Sequence, residues 1–125
     1  MQFHTPTDHP QAPAHTHGVQ TSGPLLFVSG QVPKLPDGST VSADPVEQLR
    51  TTFRNVENVL KAAGATIADL VQVRVYLRAH EYKEAFSAVR AEVFGDHKPA
   101  LTVVVCGIWN DEWVCEIEAV AEVTA

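Results

Sequence analysis

A chain of 125 residues has room for one compact domain and not for two full cores, so a single unit carries whatever function there is. Nine Lys plus Arg stand against 15 Asp plus Glu, a formal net charge of -6, which argues against a phosphate backbone as the main partner. No basic segment leads into an apolar stretch, no run nears the roughly 20 apolar residues of a membrane span, and Cys106 and Cys115 read as reduced structural thiols, so a cytoplasmic, non-membrane protein is expected.

Residues 1–14 carry Pro6, Pro10 and Pro13 among polar neighbours with no apolar period, which predicts an extended arm; the arm is assigned to residues 1–12 and a single domain to 13–125. Ser22-Gly23-Pro24 separates a first strand near 15–21 from a second at 25–31, and the two are expected to pair as an opening hairpin. Pro33, Pro36, Asp37 and Gly38 then mark a loop. Asp44 before Pro45, with Glu47 close behind, supplies an N-cap, a proline suited to the first helical position and an acid at the positive helix end. Val46, Leu49, Phe53, Val56, Leu60 and Ala63 recur at helical spacing and Gly64 suits a left-handed cap, which predicts a helix over about 45–63.

Val71, Val73, Val75 and Leu77 alternate with Gln72, Arg74, Tyr76 and Arg78, the period of a strand with two differently dressed faces. A second helix is predicted over roughly 81–94, with Tyr82, Ala85, Phe86, Val89 and Val93 inward. Two closing strands, at 101–105 and 114–123, flank a loop holding Gly107, Asn110 and Asp111. The order strand, strand, helix, strand, helix, strand, strand is an α+β layout: one mixed β-sheet with two helices packed on one face. The other face carries Val and Leu, so self-association is expected to cover it.

The string Leu25-Leu26-Phe27-Val28-Ser29-Gly30-Gln31-Val32-Pro33 resembles the hallmark strand of the Rid (reactive intermediate deaminase, YjgF-like) family, a hydrophobic run ending in Ser-Gly-Gln-Ile/Val-Pro. Gln48-Leu49-Arg50, Asn55-Val56, Ala63-Gly64-Ala65, Asp69-Leu70-Val71, Lys98-Pro99-Ala100 and Glu116-Ile117-Glu118-Ala119-Val120-Ala121 follow in the family's order, so the resemblance spans about residues 13–123. It implies a chorismate-mutase-like fold, a homotrimer, and a small-molecule ligand held in three clefts between neighbouring subunits. It also implies cofactor-free hydrolysis of imines and enamines, such as 2-aminoacrylate, with release of ammonia.

Two departures bear on the substrate. In the deaminating group an arginine follows the Pro-Ala pair and grips the substrate carboxylate; here Leu101 follows, which cannot form that bidentate, charge-assisted pair. The tyrosine of the family's Gly-Pro-Tyr segment is replaced by His15 or Thr16, depending on where a one-residue insertion falls. The expected function is therefore an enamine/imine deaminase acting on something other than the usual small amino-acid-derived imines. The alternative is a non-catalytic ligand-binding or regulatory trimer using the same clefts. An RNA-cleaving activity is disfavoured by the acidic balance and the lack of a basic, aromatic-laced patch.

Glu116 and Glu118 sit two apart on the last strand and share one face, about 6.5–7 Å from each other along the strand. The resemblance makes Glu116 the acid/base that handles the attacking water; the plain alternative is a wet face with solvated charges. Ser29 matches a cleft serine able to bond a ligand carboxylate or carbonyl, and Gly30 lets another group approach the backbone closely. No neighbouring His and Asp pattern activates Ser29, so it reads as a binder or simply as a strand end.

His15 and His17, with His4 or His9, match no standard zinc spacing, so no metal site is expected; either His15 lines the cleft or the histidines sit on a wet strand. Leu101, Val103 and Val105 alternate with Thr102, Val104 and Cys106, giving an aliphatic wall in place of the arginine. Trp109 and Trp113 flank the loop beside the cleft-forming strands and either cover a ligand or pack an interface. Cys106 and Cys115 are assigned to core packing, and Arg74 and Arg78 to solvated or ion-paired roles unless one replaces the missing clamp.

Overall fold

Asp44 starts the first helix as predicted: its carboxylate accepts the backbone N–H of Glu47 at 2.9 Å, and Pro45 takes the first turn. The computed structural model describes residues 1–124; Ala125, the last residue of the expected domain, lies outside them. The main elements are β1 (Gln2–His4), β2 (Gly18–Gln20), β3 (Leu25–Gln31), α1 (Pro45–Ala62), β4 (Leu70–Leu77), α2 (Lys83–Phe94), β5 (Ala100–Val105) and β6 (Cys115–Glu122). α1 ends one residue short of the prediction, with Gly64 at a φ of 74° turning the chain away. Residues 80–82 form a 3₁₀ turn, so α2 begins at Lys83 and not at 81.

Four strands make one mixed sheet in the order β3-β6-β4-β5, with β4 and β5 parallel and the other pairs antiparallel. Both helices lie on one face. Leu49, Phe53, Val56 and Leu60 of α1 and Phe86, Val89 and Phe94 of α2 bury against Val73, Val75, Leu77, Cys115, Ile117, Ala119 and Ala121. Phe53 anchors the helix pair, its ring 5.6 Å from Phe94 in an edge contact and 6.5 Å from Phe86 in a stacked one. Each such side chain contributes about 1.5–3 kcal/mol by leaving water. Gln48 is buried yet fully bonded: it donates to the carbonyls of Ser42 and Glu112 and accepts from Val114 N–H, which ties α1 to the start of β6.

The opening hairpin does not form. β2 pairs with β1, inside the predicted arm, while β3 pairs with β6. Glu122 explains why: its Oε1 accepts the N–H groups of Ser22 and Gly23 and the Ser22 hydroxyl, holding the connection across the end of β6. Thr16 gives its N–H to the carbonyl of Pro99 and its hydroxyl to that of Lys98, so residues 16–20 run past the start of β5 and not beside β3.

The face opposite the helices is uncovered. Phe27 is 73% exposed, Leu25 44% and Val104 41% on that side of the sheet. Among the described residues no helix is long and apolar enough to cross a membrane.

Candidate functional site

β6 runs through the middle of the sheet, and its alternation divides it cleanly. Cys115, Ile117, Ala119 and Ala121 are buried under the helices, and Glu116, Glu118 and Val120 look out on the open face. The register sets Glu116 opposite Tyr76, Glu118 opposite Arg74 and Val120 opposite Gln72. Both carboxylates therefore share one face, as the spacing predicts, and that face is dressed by the polar half of β4.

Across β6 on its other side the pairing slips. Val28 faces Ala119 and Gln31 faces Ile117, so Ser29 and Gly30 together oppose Glu118 in a bulge. The bulge presses the backbone of Gly30 onto Glu116. A Cβ at residue 30 would lie 2.2 Å from Glu116 Oε2, 2.9 Å from Cδ and 3.2 Å from Cγ. Glycine is required here for a close approach and not for its backbone angles, since its φ is outside the left-handed region.

Two cavities meet at Glu118. One, of about 360 Å³, is lined by Phe27, Ser29, Gln72, Arg74, Glu118 and Val120. The other, of about 340 Å³, is lined by Tyr76, Cys106, Ile108, Trp109, Glu116 and Glu118. The Tyr76 hydroxyl donates to Glu118 Oε1, and an Arg74 nitrogen lies 3.9 Å from the same oxygen. That carboxylate, followed by desolvation, raises the Tyr76 phenol above its ordinary range, because ionising it would place a second negative charge against the first.

Of the residues singled out from sequence, Glu116, Ser29, Gly30 and Trp109 come together around these cavities, with Trp109 93% exposed at the rim. Leu101 and Val103 do not join them within one chain. They are in register with Val73 and Val75, on the helix side of edge strand β5, and Leu101 packs against the core. Cys106 is corrected in the opposite sense: it lines the Glu116 cavity and is not a core residue. Cys115 is in the core, where burial pushes its thiol up to about 11 and Thr52 Oγ1 is its hydrogen-bond partner at 3.3 Å.

His15 lies with the arm, its ring edge-on to His17 at 5.4 Å, while His17 bonds the Pro10 carbonyl and contacts His9. It lines neither cavity. Thr16, the other residue aligned with the family tyrosine, is buried and committed to the backbone at Lys98 and Pro99. Among the described residues no group of three His, Cys, Asp or Glu side chains is placed to hold a metal ion. Arg78 is used locally, its guanidinium donating to the carbonyls of Ile108, Asn110 and Trp113, so it fixes the loop that carries Trp109. Trp113 is buried, its indole N–H donating to the Thr40 hydroxyl at 3.2 Å and the Lys34 ammonium lying 5.2 Å from its ring. Sequence reasoning assigned no site role to Tyr76, although the alternation of β4 had already put it on the face of Gln72 and Arg74.

The comparisons bear on the fold and the family. The sequence profile described as Endoribonuclease L-PSP matches residues 7–123. RutC family protein PH0854 of Pyrococcus horikoshii is 36% identical over 101 residues, 80% of each chain. Escherichia coli TdcF, provisionally named a reactive intermediate deaminase, is 28% identical over 102 residues, 79% of each chain. The crystal structure of YyfB from Yersinia pestis, a protein of unknown function in the conserved Rid family, matches with a TM-score of 0.85 at 29% identity and covers 98% of both chains. A profile match over nearly the whole chain, carried on the fold and the order of motifs described above, makes this chain a member of the Rid (YjgF-like) family.

Proposed function

We propose that this chain is a cofactor-free enamine/imine deaminase that works as a cytoplasmic homotrimer, with a small-molecule ligand held in clefts between subunits. The observation that carries the reading is the Glu116 carboxylate, seated against the Gly30 bulge and lining a cavity that meets the Ser29 cavity at Glu118. The chemistry needs one proton-handling group. Glu116 takes a proton from water as its oxygen attacks the carbon of the protonated imine, giving a carbinolamine; Glu116 passes that proton to nitrogen, and as the carbon–nitrogen bond breaks the carboxylate takes the hydroxyl proton, which it releases to solvent, leaving a carbonyl compound and ammonia. Ser29 bonds the substrate from the bulge, and Trp109 supplies an apolar rim.

The uncovered sheet face, bearing Phe27 and Leu25, supports assembly, since a face of this kind on so small a domain is favourably buried against another copy. Leu101 and Val103, on the far side of edge strand β5, reach such a ligand only from a neighbouring subunit, and there they offer it apolar contact and no cation. That placement favours a ligand other than small amino-acid-derived imines. A second reading, a ligand-binding trimer without turnover, draws on the same lack of a clamp at Leu101.

The test is ammonia release from a panel of freshly generated imines by wild-type protein and Glu116→Gln. The variant is expected to keep assembly and thermal stability and to lose turnover by about 10²-fold or more. Unchanged turnover removes Glu116 as the acid/base, and a stable monomer by light scattering at micromolar concentration removes the cleft.

A further inference from the structure

Glu118 stands between the two cavities with a side chain 37% exposed, and both of its contacts fall on one oxygen. Oε1 accepts the Tyr76 hydroxyl and faces Arg74, while Oε2 has no hydrogen-bond partner among the described residues. The backbone of Tyr76 is held in turn by its strand: next to last in β4, it pairs with Glu116 on one side and Val104 on the other. A rigid phenol on a central strand therefore sets the direction in which a flexible carboxylate points. A side chain held this way presents its spare oxygen with little conformational entropy left to lose on binding.

The walls say what that oxygen suits. The cavity shared by Glu116 and Glu118 has aromatic groups in Tyr76 and Trp109, apolar surface from Ile108, and no cationic side chain. An anionic ligand is repelled by two carboxylates at this end, whereas a protonated imine or ammonium nitrogen is attracted by the carboxylate and by the aromatic faces. We propose that Tyr76 is a positioning residue that aims Glu118 at the substrate's nitrogen, so that the cavity selects cationic, carboxylate-free imines bearing an apolar or aromatic group.

This inference rests on the deaminase reading of the same cavity, with Glu116 handling water and Glu118 binding nitrogen. It predicts a division of labour. Tyr76→Phe removes only the hydroxyl and leaves the ring's packing, so the fold is kept while Glu118 is freed to swing. For a turned-over cationic imine, KM rises severalfold while kcat stays within about twofold, the split of a lost binding contact.

Two ligands of the same shape and opposite charge give the test that needs no turnover: benzylammonium and phenylacetate, titrated against the purified full chain and followed by calorimetry and tryptophan fluorescence. Benzylammonium is expected to bind at least about tenfold more tightly than phenylacetate, and both Tyr76→Phe and Glu118→Gln to remove most of that preference. An ultraviolet titration adds a readout that a merely structural tyrosine would not move. The Tyr76 phenol, identified by its loss in Tyr76→Phe, titrates above the ordinary tyrosine value and falls back in Glu118→Gln.

Equal or tighter binding of phenylacetate overturns the proposal, as does a benzylammonium affinity untouched by Tyr76→Phe or a Tyr76 titration indifferent to Glu118. These outcomes are separate from failure of the deaminase reading, which shows instead as normal turnover by Glu116→Gln.

Discussion

Gly30→Ala is the sharpest perturbation available, because it acts on Glu116 without touching it. The added methyl would sit 2.2 Å from Oε2, against an ordinary carbon–oxygen contact of about 3.4 Å, so the carboxylate has to retreat by about 1 Å. What yields is the far end of a flexible side chain and not backbone, so the fold survives. Residue 30 is outside the left-handed region, and alanine there stiffens the unfolded chain, a gain of about 0.4–1 kcal/mol that offsets part of the disturbance. The melting temperature is expected to move by no more than about 4 °C. A 1 Å displacement of a reacting group costs about 10²-fold, so ammonia release should fall by about that factor with little change in KM. Adding Glu116→Asp to Gly30→Ala shortens the acid by one methylene and should recover part of the loss. Gly30→Ala protein that turns over within twofold of wild type, on a substrate that Glu116→Gln cannot process, refutes the claim that the bulge seats the carboxylate.

Leu101→Arg should raise ammonia release from 2-iminopropionate several-fold if β5 of one subunit borders the cleft of the next, since arginine supplies the bidentate partner a carboxylate needs; no gain places the wall away from the ligand. Cys115 gives a signature in stability against pH. Its thiol is raised from 9.0 to about 11 by burial, so the native state holds its proton longer than the unfolded chain does. The contribution is present below about pH 9 and is lost as the pH rises toward 11. Melting temperatures across that window should fall less steeply in Cys115→Ala than in wild type, and in native protein at neutral pH iodoacetamide should label the cavity-lining Cys106 long before Cys115.

Elements whose signals are local were legible in the sequence. Asp44, Pro45 and Gly64 state both ends of α1 within a few residues of chain, and the alternation of β4 and β6 states which residues share a side. The missed hairpin had no such signal. Ser22-Gly23-Pro24 suits a reversal and a crossing equally well, and the choice is made by Glu122, about a hundred residues downstream, whose carboxylate gathers the N–H groups of Ser22 and Gly23. A long-range contact of this kind leaves no periodicity to read.

The site was read in halves for a related reason. Alternation within a strand separates its two faces, but which face turns toward the helices is decided only by register with a neighbour. For β6 the apolar Cys115, Ile117, Ala119 and Ala121 contrast with two glutamates, so the shared face of Glu116 and Glu118 is legible and falls on the open side. β5 offers no such contrast: Leu101, Val103 and Val105 alternate with Thr102, Val104 and Cys106, and either set could serve as the inner one. Parallel pairing with β4 settles it, setting Leu101 opposite Val73 and Val104 opposite Tyr76. One reversal of parity thus accounts for two corrections at once, the move of Leu101 and Val103 away from Glu116 and the move of Cys106 toward it. The same register makes β5 an edge, with Leu101 and Val103 on the side away from Glu116, so any contact they make with a ligand at Glu116 has to be supplied by a second copy of the chain.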